Sequence, residues 1–308
     1  MAKRILCLLI LILSSQARAE PFRLIVLPDT QFNSESWPQQ LTAMTQWIVT
    51  NQQPLNIKYV LHVGDMVNVA NDKQQWENFD ASMQVLDGKT PYVLALGNHD
   101  FDNIAGKRST VLFDKHFPAE RFRRLPSFPT KETDKANSYR TFSAAGTDWL
   151  IVAMPFLPTD AQLQGANRVV SQHPDHRVIV LTHSYLTHSG RDKSGQYIWE
   201  KLVKRYRNVA MVVCGHLSTV HFVSQGDRDN KVYEMLFDWQ NAEDPEPNSY
   251  LAILELDPEA AKLSVKSYSP TLDKYMTDQR SQFEFRDVDF LRARAKAKAA
   301  KAAAESVR

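Results

Sequence analysis

Most of the apolar segments before residue 215 end on a side chain that can hold a cation or move a proton. The residues at these ends are Asp29, Asp65, Asn98 (followed by His99 and Asp100), His183 and His216. The spacing is 36 residues from Asp29 to Asp65 and 33 from His183 to His216, which in each case fits one crossover connection. In open α/β sheets the carboxyl ends of the strands meet at one edge, where sites assemble. The spacing therefore predicts that these side chains converge.

This set of side chains favours metal chemistry. Carboxylates, an amide oxygen and imidazoles, without a thiolate, suit Mn, Fe or Zn. A carboxylate can also bridge two cations that share a water. Gly64, Gly97 and Gly215 precede three of the candidate ligands and would let the backbone turn sharply. A single Asp at a strand end usually caps a turn and a single His usually packs in the core, so the ordered set carries the prediction.

The segments that must position these residues indicate an α/β fold. Continuous apolar, β-branched runs predict strands that are covered on both faces, and helical spacing recurs between them. The predicted strands are Phe22–Leu27, Lys58–Val63, Tyr92–Leu96, Trp149–Met154, Arg177–Leu181 and Asn208–Cys214. The predicted helices are Trp37–Asn51, Gln75–Leu86, Asp160–Gln172 and Gln196–Tyr206. This alternation predicts parallel crossover units.

The pattern changes after residue 215, where four shorter segments separated by turn residues predict antiparallel strands that complete the sheets. These are Thr219–Val223, Val232–Phe237, Tyr250–Leu256 and Leu263–Tyr268. Residues 101–138 are polar, interrupted by proline and without periodicity, which indicates a long surface insertion.

At this point the sequence resembles the calcineurin-like metallophosphoesterases. The family's ordered motifs are matched from about residue 22 to 218. A secreted or envelope bacterial branch is resembled by the Pro28-Asp29-Thr30-Gln31 start together with Asp238-Trp239-Gln240 and Tyr268-Ser269-Pro270. The motifs stand as Asp29-Thr30-Gln31, Gly64-Asp65-Met66-Val67-Asn68, Gly97-Asn98-His99-Asp100, His183, and Gly215-His216-Leu217-Ser218.

The resemblance implies a four-layer αββα sandwich of two mixed β-sheets. It also implies a centre with two divalent metal ions (Mn, Fe or Zn) that hydrolyses phosphoesters with a metal-bridging hydroxide. Asp65 would bridge both ions, and Asn98, His183 and His216 would complete the second site. Asp29 and Gln31 would serve the first site. His99 would assist the leaving group, and Asn68 and Asp100 join it in the predicted catalytic group.

Three departures from the family pattern affect the site. Gln31 and Ser218 stand where relatives have histidines, so the first metal site should be rich in oxygen and weaker. Asn68 stands where many relatives place the Asp that orients the catalytic His; its amide side chain can still hold the ring but would stabilise the protonated form less. Monoesters and diesters are not distinguished.

Tyr185, His188 and Arg191 lie in a polar loop after His183 and are candidates for substrate binding. An arginine could clamp a phosphate and an aromatic ring could stack on a substrate ring. Ordinary loop and packing roles are the alternative for each of them.

The chain begins with a pattern that predicts export. An apolar run over 5–13 follows Lys3 and Arg4 and precedes Ala17-Arg18-Ala19, as in a signal peptide of residues 1–19. An uncleaved N-terminal anchor is the alternative. Cleavage would leave no membrane span, a periplasmic or secreted protein, and Cys214 as the remaining thiol, so no intrachain disulfide.

The mature chain is predicted to contain a catalytic domain over 20–285 and a basic, alanine-rich tail over 286–308. Residues 291–308 carry six basic residues and one acid. The tail is interpreted either as an arm that contacts polyanions or as a solvated terminus. Two other functions stay open, a catalytically decayed binding module and a nuclease or phosphodiesterase guided by the tail. The oligomeric state is left open.

Overall fold

The structure is a computed structural model that describes residues 20–104, 107–122, 138–240 and 247–290. The strands in chain order are β1 Phe22–Leu27, β2 Ile57–His62, β3 Tyr92–Leu94, β4 Asp102–Ile104, β5 Lys107–Ser109, β6 Ser138–Ala144, β7 Thr147–Ala153, β8 Arg177–Leu181, β9 Leu186–Thr187, β10 Gly190–Arg191, β11 Val209–Cys214, β12 Val220–Gln225, β13 Lys231–Leu236, β14 Leu251–Asp257, β15 Lys262–Ser269, β16 Lys274–Met276 and β17 Gln282–Phe285. The helices are α1 Gln31–Ser36, α2 Pro38–Asn51, α3 Lys73–Gln84, α4 Val111–His116, α5 Ala119–Phe122, α6 Asp160–Gln172 and α7 Lys193–Lys201, with 3₁₀ turns at Val203–Arg205 and Pro247–Ser249.

The strands form two large mixed sheets. The first has the order β16-β15-β14-β1-β2-β3, with β17 paired to β15, and the second has the order β12-β13-β11-β8-β7-β6. In the first sheet β1, β2 and β3 are parallel and β14 runs antiparallel to β1. In the second sheet β7, β8, β11 and β13 are parallel, and antiparallel strands close both edges. The parallel pairing of β13 with β11 corrects the prediction that the late strands are all antiparallel.

Three apolar clusters separate four layers. Strand β1 shows the principle, because Leu24 and Val26 point into a cluster between the two sheets while Ile25 and Leu27 point into a cluster under α2 and α3. A third cluster lies between the second sheet and the helices α6 and α7. Since successive side chains of a strand face opposite sides, a strand covered on both faces must be apolar throughout. The predicted αββα sandwich of two mixed sheets is confirmed.

Local signals fix the helix starts. Pro38 opens α2, Asp72 caps α3 through its side chain, and Thr159 forms a capping box with Gln162 at α6. Asp192 accepts a hydrogen bond from Gly195 N, so α7 begins at Lys193, three residues before the predicted start. The short α1 was not predicted because its sequence, QFNSES, has no apolar face.

The interpretation of 101–138 as a surface insertion is wrong for residues 111–122. Phe113, Phe117 and Phe122 are buried against the outer face of the first sheet, in the cluster beneath α3. His116 contacts Asp80, with its Nδ1 2.9 Å from Asp80 Oδ2. The segment packs because two of its aromatics are four residues apart and so lie on one side of α4, with their rings stacked at 5.6 Å. Residues 123–137 lie outside the described residues.

The packed fold continues beyond the predicted domain end at residue 285. Val288 and Phe290 are buried between the sheets, and Arg177 and Thr147 donate hydrogen bonds to the carbonyls of Asp289 and Phe290. Residues 286–290 are therefore part of the domain rather than of the tail. The predicted signal peptide and the basic residues 291–308 lie outside the described residues. Within the described ranges, no helix has the length and apolar character needed to cross a bilayer.

Candidate metal centre

Asp65, His183 and His216 meet at the carboxyl edge of the two sheets. Each offers one ligand atom, and the three atoms all lie within 4.8 Å of one another. Asp65 follows β2 of the first sheet, whereas His183 and His216 follow β8 and β11 of the second. The site is therefore built across the two sheets, and the predicted convergence holds for these three side chains.

Unusual backbone geometry orients the side chains of the candidate ligands. Asp65 and His216 have φ values of 51° and 80°, in the left-handed region, and Gly64 before Asp65 has φ 110°. Side-chain-bearing residues in this region cost of order 1 kcal/mol or more and persist where the surroundings hold them. Gly97 and Gly215 are needed for space instead, because a Cβ would lie 2.0 Å from Asp65 Oδ1 and 2.1 Å from Asp29 Oδ1, respectively.

His183 is fully buried and held from both sides of its ring. Its Nδ1 lies 3.0 Å from the Val63 carbonyl oxygen, and its Nε2 lies 3.0 Å from Asn98 Oδ1 and 3.2 Å from Asp65 Oδ2. Burial alone would lower the pKa of His183, but the nearby Asp29 and Asp65 carboxylates outweigh it and raise the pKa to about 9. A carbonyl on Nδ1 is the usual partner of a histidine that binds a metal through Nε2.

One carboxylate oxygen of Asp29 is buried beside the cluster and is available to bind a cation. Asp29 Oδ2 accepts a hydrogen bond from His216 N at 2.9 Å, while Oδ1 is buried 3.8 Å from His183 Nδ1 and has no hydrogen-bond partner among the described residues. Burial raises the pKa of Asp29 well above its usual range, and the Asp238 and Asp65 carboxylates add to this. A buried orphan carboxylate oxygen costs free energy unless a cation or proton compensates it. With the adjacent imidazoles, this donor set fits a divalent ion such as Mn, Fe or Zn.

The side chain of Gln31 is hydrogen-bonded to the side chain of Gln240. Gln31 Oε1 accepts from Gln240 Nε2 at 2.6 Å, and Gln240 Nε2 is also 3.3 Å from the Asp29 carbonyl. The amide oxygen that was predicted to bind the first metal thus already has a donor. Its role as a ligand stays a prediction, and a metal would have to compete with Gln240.

Asp238 was missed as a site residue. Asp238 is buried two residues after the end of β13, and its Oδ1 accepts from Gln240 N at 2.9 Å. Burial, together with the Asp65 charge, raises its pKa to about 7. The signal was present, since Asp238 also ends an apolar strand, but the late strands were expected at the outer, antiparallel part of the sheet. Trp239, which follows it, is buried between the sheets and donates to Ser281 Oγ, so it is a core residue.

His99 lies beside the cluster and is oriented by a main-chain group. The backbone N–H of His99 donates to Asp65 Oδ1 at 2.9 Å, and the ring Nδ1 lies 2.8 Å from the carbonyl oxygen of Asn68. The Asn68 side chain points elsewhere and donates to Glu35 Oε1 at 2.9 Å. The expectation that the Asn68 amide side chain holds the His99 ring is therefore corrected, because the Asn68 backbone carbonyl does so.

Asp100 stabilises the loops that carry the site. One carboxylate oxygen accepts from Gly97 N at 2.7 Å and the other from Met66 N at 2.8 Å and Val67 N at 3.3 Å. Burial, and then the Asp65 charge, raise its pKa to about 7. Asp100 ties the loop after β2 to the loop after β3, so the geometry gives it a positioning role within the predicted catalytic group.

Two of the three predicted substrate-binding residues, Tyr185 and Arg191, are held by contacts in the core of the second sheet. Tyr185 is buried in the core under α7, and Arg191 Nε is 2.6 Å from Glu234 Oε2 and 3.2 Å from Tyr185 Oη. Arg191 also stacks on Trp199, with 3.6 Å from its Cζ to the ring centre. His188 is exposed at the tip of the β9–β10 hairpin. The structure thus joins Tyr185 and Arg191 in a packing cluster with Glu234.

Comparisons with known proteins agree with this geometry. The family model described as calcineurin-like phosphoesterase matches residues 22–219. The chain is 36% identical over 259 residues to the "Uncharacterized protein YvnB" of Bacillus subtilis (strain 168), a match that covers 81% of this chain and 20% of that protein. The chain thus spans about a fifth of the length of that relative.

Two solved structures share the fold. The purple acid phosphatase PPD1 from yellow lupin (Lupinus luteus) seeds superposes with a TM-score of 0.56 at 14% identity, covering 87% of this chain and 54% of that one. GAP50, "the anchor in the inner membrane complex of Plasmodium", superposes with a TM-score of 0.51 at 13% identity, covering 91% and 94%. At these identities the likeness concerns the fold alone. The match over residues 22–219 and the ordered strand-end residues together show that the chain belongs to the calcineurin-like phosphoesterase family.

Proposed function

We propose that this protein is an exported, metal-dependent phosphoester hydrolase in which His99 assists the leaving group. The observation that carries the proposal is the convergence of ligand atoms of Asp65, His183 and His216 within 4.8 Å. The backbone N–H of His99 donates a hydrogen bond to the same Asp65 carboxylate. Ligand-type side chains and a candidate general acid thus share one edge of the sheets.

Two divalent ions fit the donor set of the site. Asp65 would lie between them, with Asn98, His183 and His216 at the second ion and Asp29 with Gln31 at the first. When bound, the ions would supply the Lewis acidity that polarises the phosphoryl group and activates water as the nucleophile. The first position offers fewer nitrogen donors, and Gln240 already holds Gln31 Oε1 at 2.6 Å, so the first ion should bind more weakly.

His99 would hold and deliver a proton at Nε2. The carbonyl of Asn68 is only an acceptor, so His99 Nδ1 must be the protonated nitrogen that donates to it. The ring can therefore gain and lose its second proton at Nε2 without rotating. A proton at this position can pass to the leaving-group oxygen, which is where phosphoryl transfer needs charge stabilisation.

The proposal is tested by assaying the full chain, loaded with Mn, Fe or Zn in turn, on generic phosphate monoesters and diesters. We expect hydrolysis that depends on metal, and loss of metal content on Asp65→Asn. His176→Ala is the matched control, because His176 precedes β8 at the opposite edge of the sheet. A metal-loaded protein that hydrolyses no phosphoester would contradict the proposal.

A second candidate is a binding module that no longer catalyses. The Gln31–Gln240 pair and the missing first-site imidazoles favour it. Such a module would hold one metal or none and turn over no substrate, so metal stoichiometry measured beside activity separates it from the enzyme. A nuclease guided by the basic tail is the third possibility; deleting 291–308 should then reduce cleavage of DNA but not of small esters.

Export is part of the proposal and rests on the sequence of residues 1–19. Cell fractionation of the full-length protein, with N-terminal sequencing of the product, should find a chain that begins at Glu20 outside the cytoplasm. An intact N-terminus in the membrane fraction would favour the uncleaved anchor instead.

A further inference from the structure

The β4–β5 hairpin presents an arginine beside the candidate metal centre. Arg108 lies on β5, with its guanidinium carbon 5.0 Å from the ring centre of Phe101 and 5.4 Å from that of Phe156. Its Nη1 donates to the Phe156 carbonyl at 2.7 Å. Two aromatic rings and a carbonyl thus fix an otherwise exposed guanidinium, and positions within about 6 Å of a ring favour a cation.

The rings that hold Arg108 adjoin residues of the site, Phe101 in sequence and Phe156 in space. Phe101 follows Asp100, whose carboxylate clamps the two loops of the site. The Phe156 ring lies 5.4 Å from that of His216 and 5.9 Å from that of His183. One aromatic ring therefore separates the Arg108 guanidinium from the two histidines.

The guanidinium keeps donors for a ligand. Within the described ranges, Arg108 uses Nη1 for its hydrogen bond, and its Nε and Nη2 have no hydrogen-bond partner. The nearby Asp102 accepts from Asn103 N at 2.8 Å. Lys107 is also exposed on β5, so the hairpin carries two adjacent cations. A guanidinium presents two parallel N–H groups that match a carboxylate or phosphate.

We propose that Arg108 binds a second anionic group of the substrate, one that lies beyond the phosphoryl group held at the metal centre. This inference rests on the proposed function and narrows its substrate class to phosphoesters that carry another carboxylate or phosphate on the esterified moiety. Because the Phe156 ring lies between Arg108 and the two histidines, Arg108 would contact the esterified moiety of the substrate and not the reacting phosphoryl group. Arg108 is thus a specificity residue.

The test uses non-hydrolysable ligands and needs no turnover. Calorimetry on the full, Mn-loaded chain compares alkylphosphonates with ω-carboxyalkyl phosphonates of the same length, from two to six methylenes. We expect the carboxylate to improve affinity about fivefold at the matching length, as for a well-oriented ion pair at a partly exposed site. Arg108→Ala should remove that advantage and leave the affinity of the plain alkylphosphonates unchanged, and Arg108→Lys should retain part of it.

Lys107→Ala is the matched control, because it removes an adjacent exposed cation that does not stack on Phe101 or Phe156; it should keep most of the advantage. Equal affinity of the two ligand series in the wild type would overturn this inference but not the proposed function. An equal loss of affinity for both series in Arg108→Ala would do the same. If no phosphonate binds the metal-loaded protein, the proposed function fails with it.

Discussion

The imidazole of His99 is oriented by the main chain of Asn68, with its Nδ1 2.8 Å from the Asn68 carbonyl oxygen. The Asn68 side chain donates to Glu35 instead. A main-chain acceptor holds the ring whatever side chain stands at position 68. The departure from the family pattern at position 68 therefore does not remove the group that orients His99.

This relationship predicts unequal effects at the two residues. His99→Ala should lower kcat by about 10²–10⁴-fold, the usual contribution of a general acid, with metal content nearly unchanged. Asn68→Ala should change kcat by only a few fold, because the carbonyl remains. Steady-state kinetics with metal analysis checks both. A loss of metal in His99→Ala would assign that residue to the metal site, and an Asn68→Ala loss as large as that of His99→Ala would restore a role for the amide.

The two metal positions should differ in affinity. Nitrogen donors hold borderline transition metals more tightly than neutral oxygens do. Mild chelation should therefore remove one ion before the other, with activity following the weaker ion. Gln31→His should strengthen the weak site once Gln240→Ala removes the competing amide. Metal titration by calorimetry, with metal content measured beside activity, checks this. Two ions of one affinity in the wild type would contradict the asymmetry.

Arg191 should matter for stability and not for substrate affinity. Glu234 is 1% exposed, and Arg191 Nε lies 2.6 Å from its Oε2. Removing one partner of a buried ion pair leaves an uncompensated charge and costs about 3 kcal/mol or more. Arg191→Ala should therefore lower the free energy of unfolding by about this amount and leave KM unchanged, while adding Glu234→Gln should recover part of the loss. A raised KM in a stably folded Arg191→Ala would support the original prediction that Arg191 binds substrate.

His62 should make the fold sensitive to acid. Its Nδ1 accepts from Gly64 N at 3.2 Å and its Nε2 lies 2.9 Å from Thr30 Oγ1, so the neutral ring links two loops of the site. Burial, and then the charge of His183, lower its pKa from 6.5 to about 3. Between these values the unfolded chain binds a proton that the folded protein does not, so this stabilisation is present above pH 6.5 and lost as the pH falls toward 3.

Urea unfolding between pH 4 and 8 measures this effect. Against wild type, His62→Gln should reduce the acid-side slope of the free energy of unfolding by up to about 1.4 kcal/mol per pH unit. His188→Gln, at an exposed position, is the control and should leave the slope unchanged. An unchanged slope in His62→Gln would show that the His62 ring is not kept neutral by the fold.

Much of the fold could be predicted because strands covered on both faces must be apolar throughout, which marks them in the sequence. The strand-end ligands followed, since parallel strands deliver their carboxyl ends to one edge. Residues 111–122 were misread because their aromatic side chains pack against α3, the first sheet and Arg140 of β6, partners that are remote from them in sequence. Asp238 was missed because β13 pairs in parallel with β11, a pairing that the local sequence pattern does not encode.

The periodicity of the sequence by itself determined an α/β fold with parallel crossovers, and the ordered motifs determined the family and grouped Asp65, His183 and His216. The αββα sandwich was implied by the resemblance to that family. Only the tertiary structure decided which atoms meet at the site. In the folded protein Gln31 bonds to Gln240 and Arg191 bonds to Glu234. His99 bonds to the backbone carbonyl of Asn68 and not to the Asn68 side chain. These outcomes depend on backbone direction at loop residues with unusual φ and on contacts between segments far apart in the chain, and neither is written in local spacing.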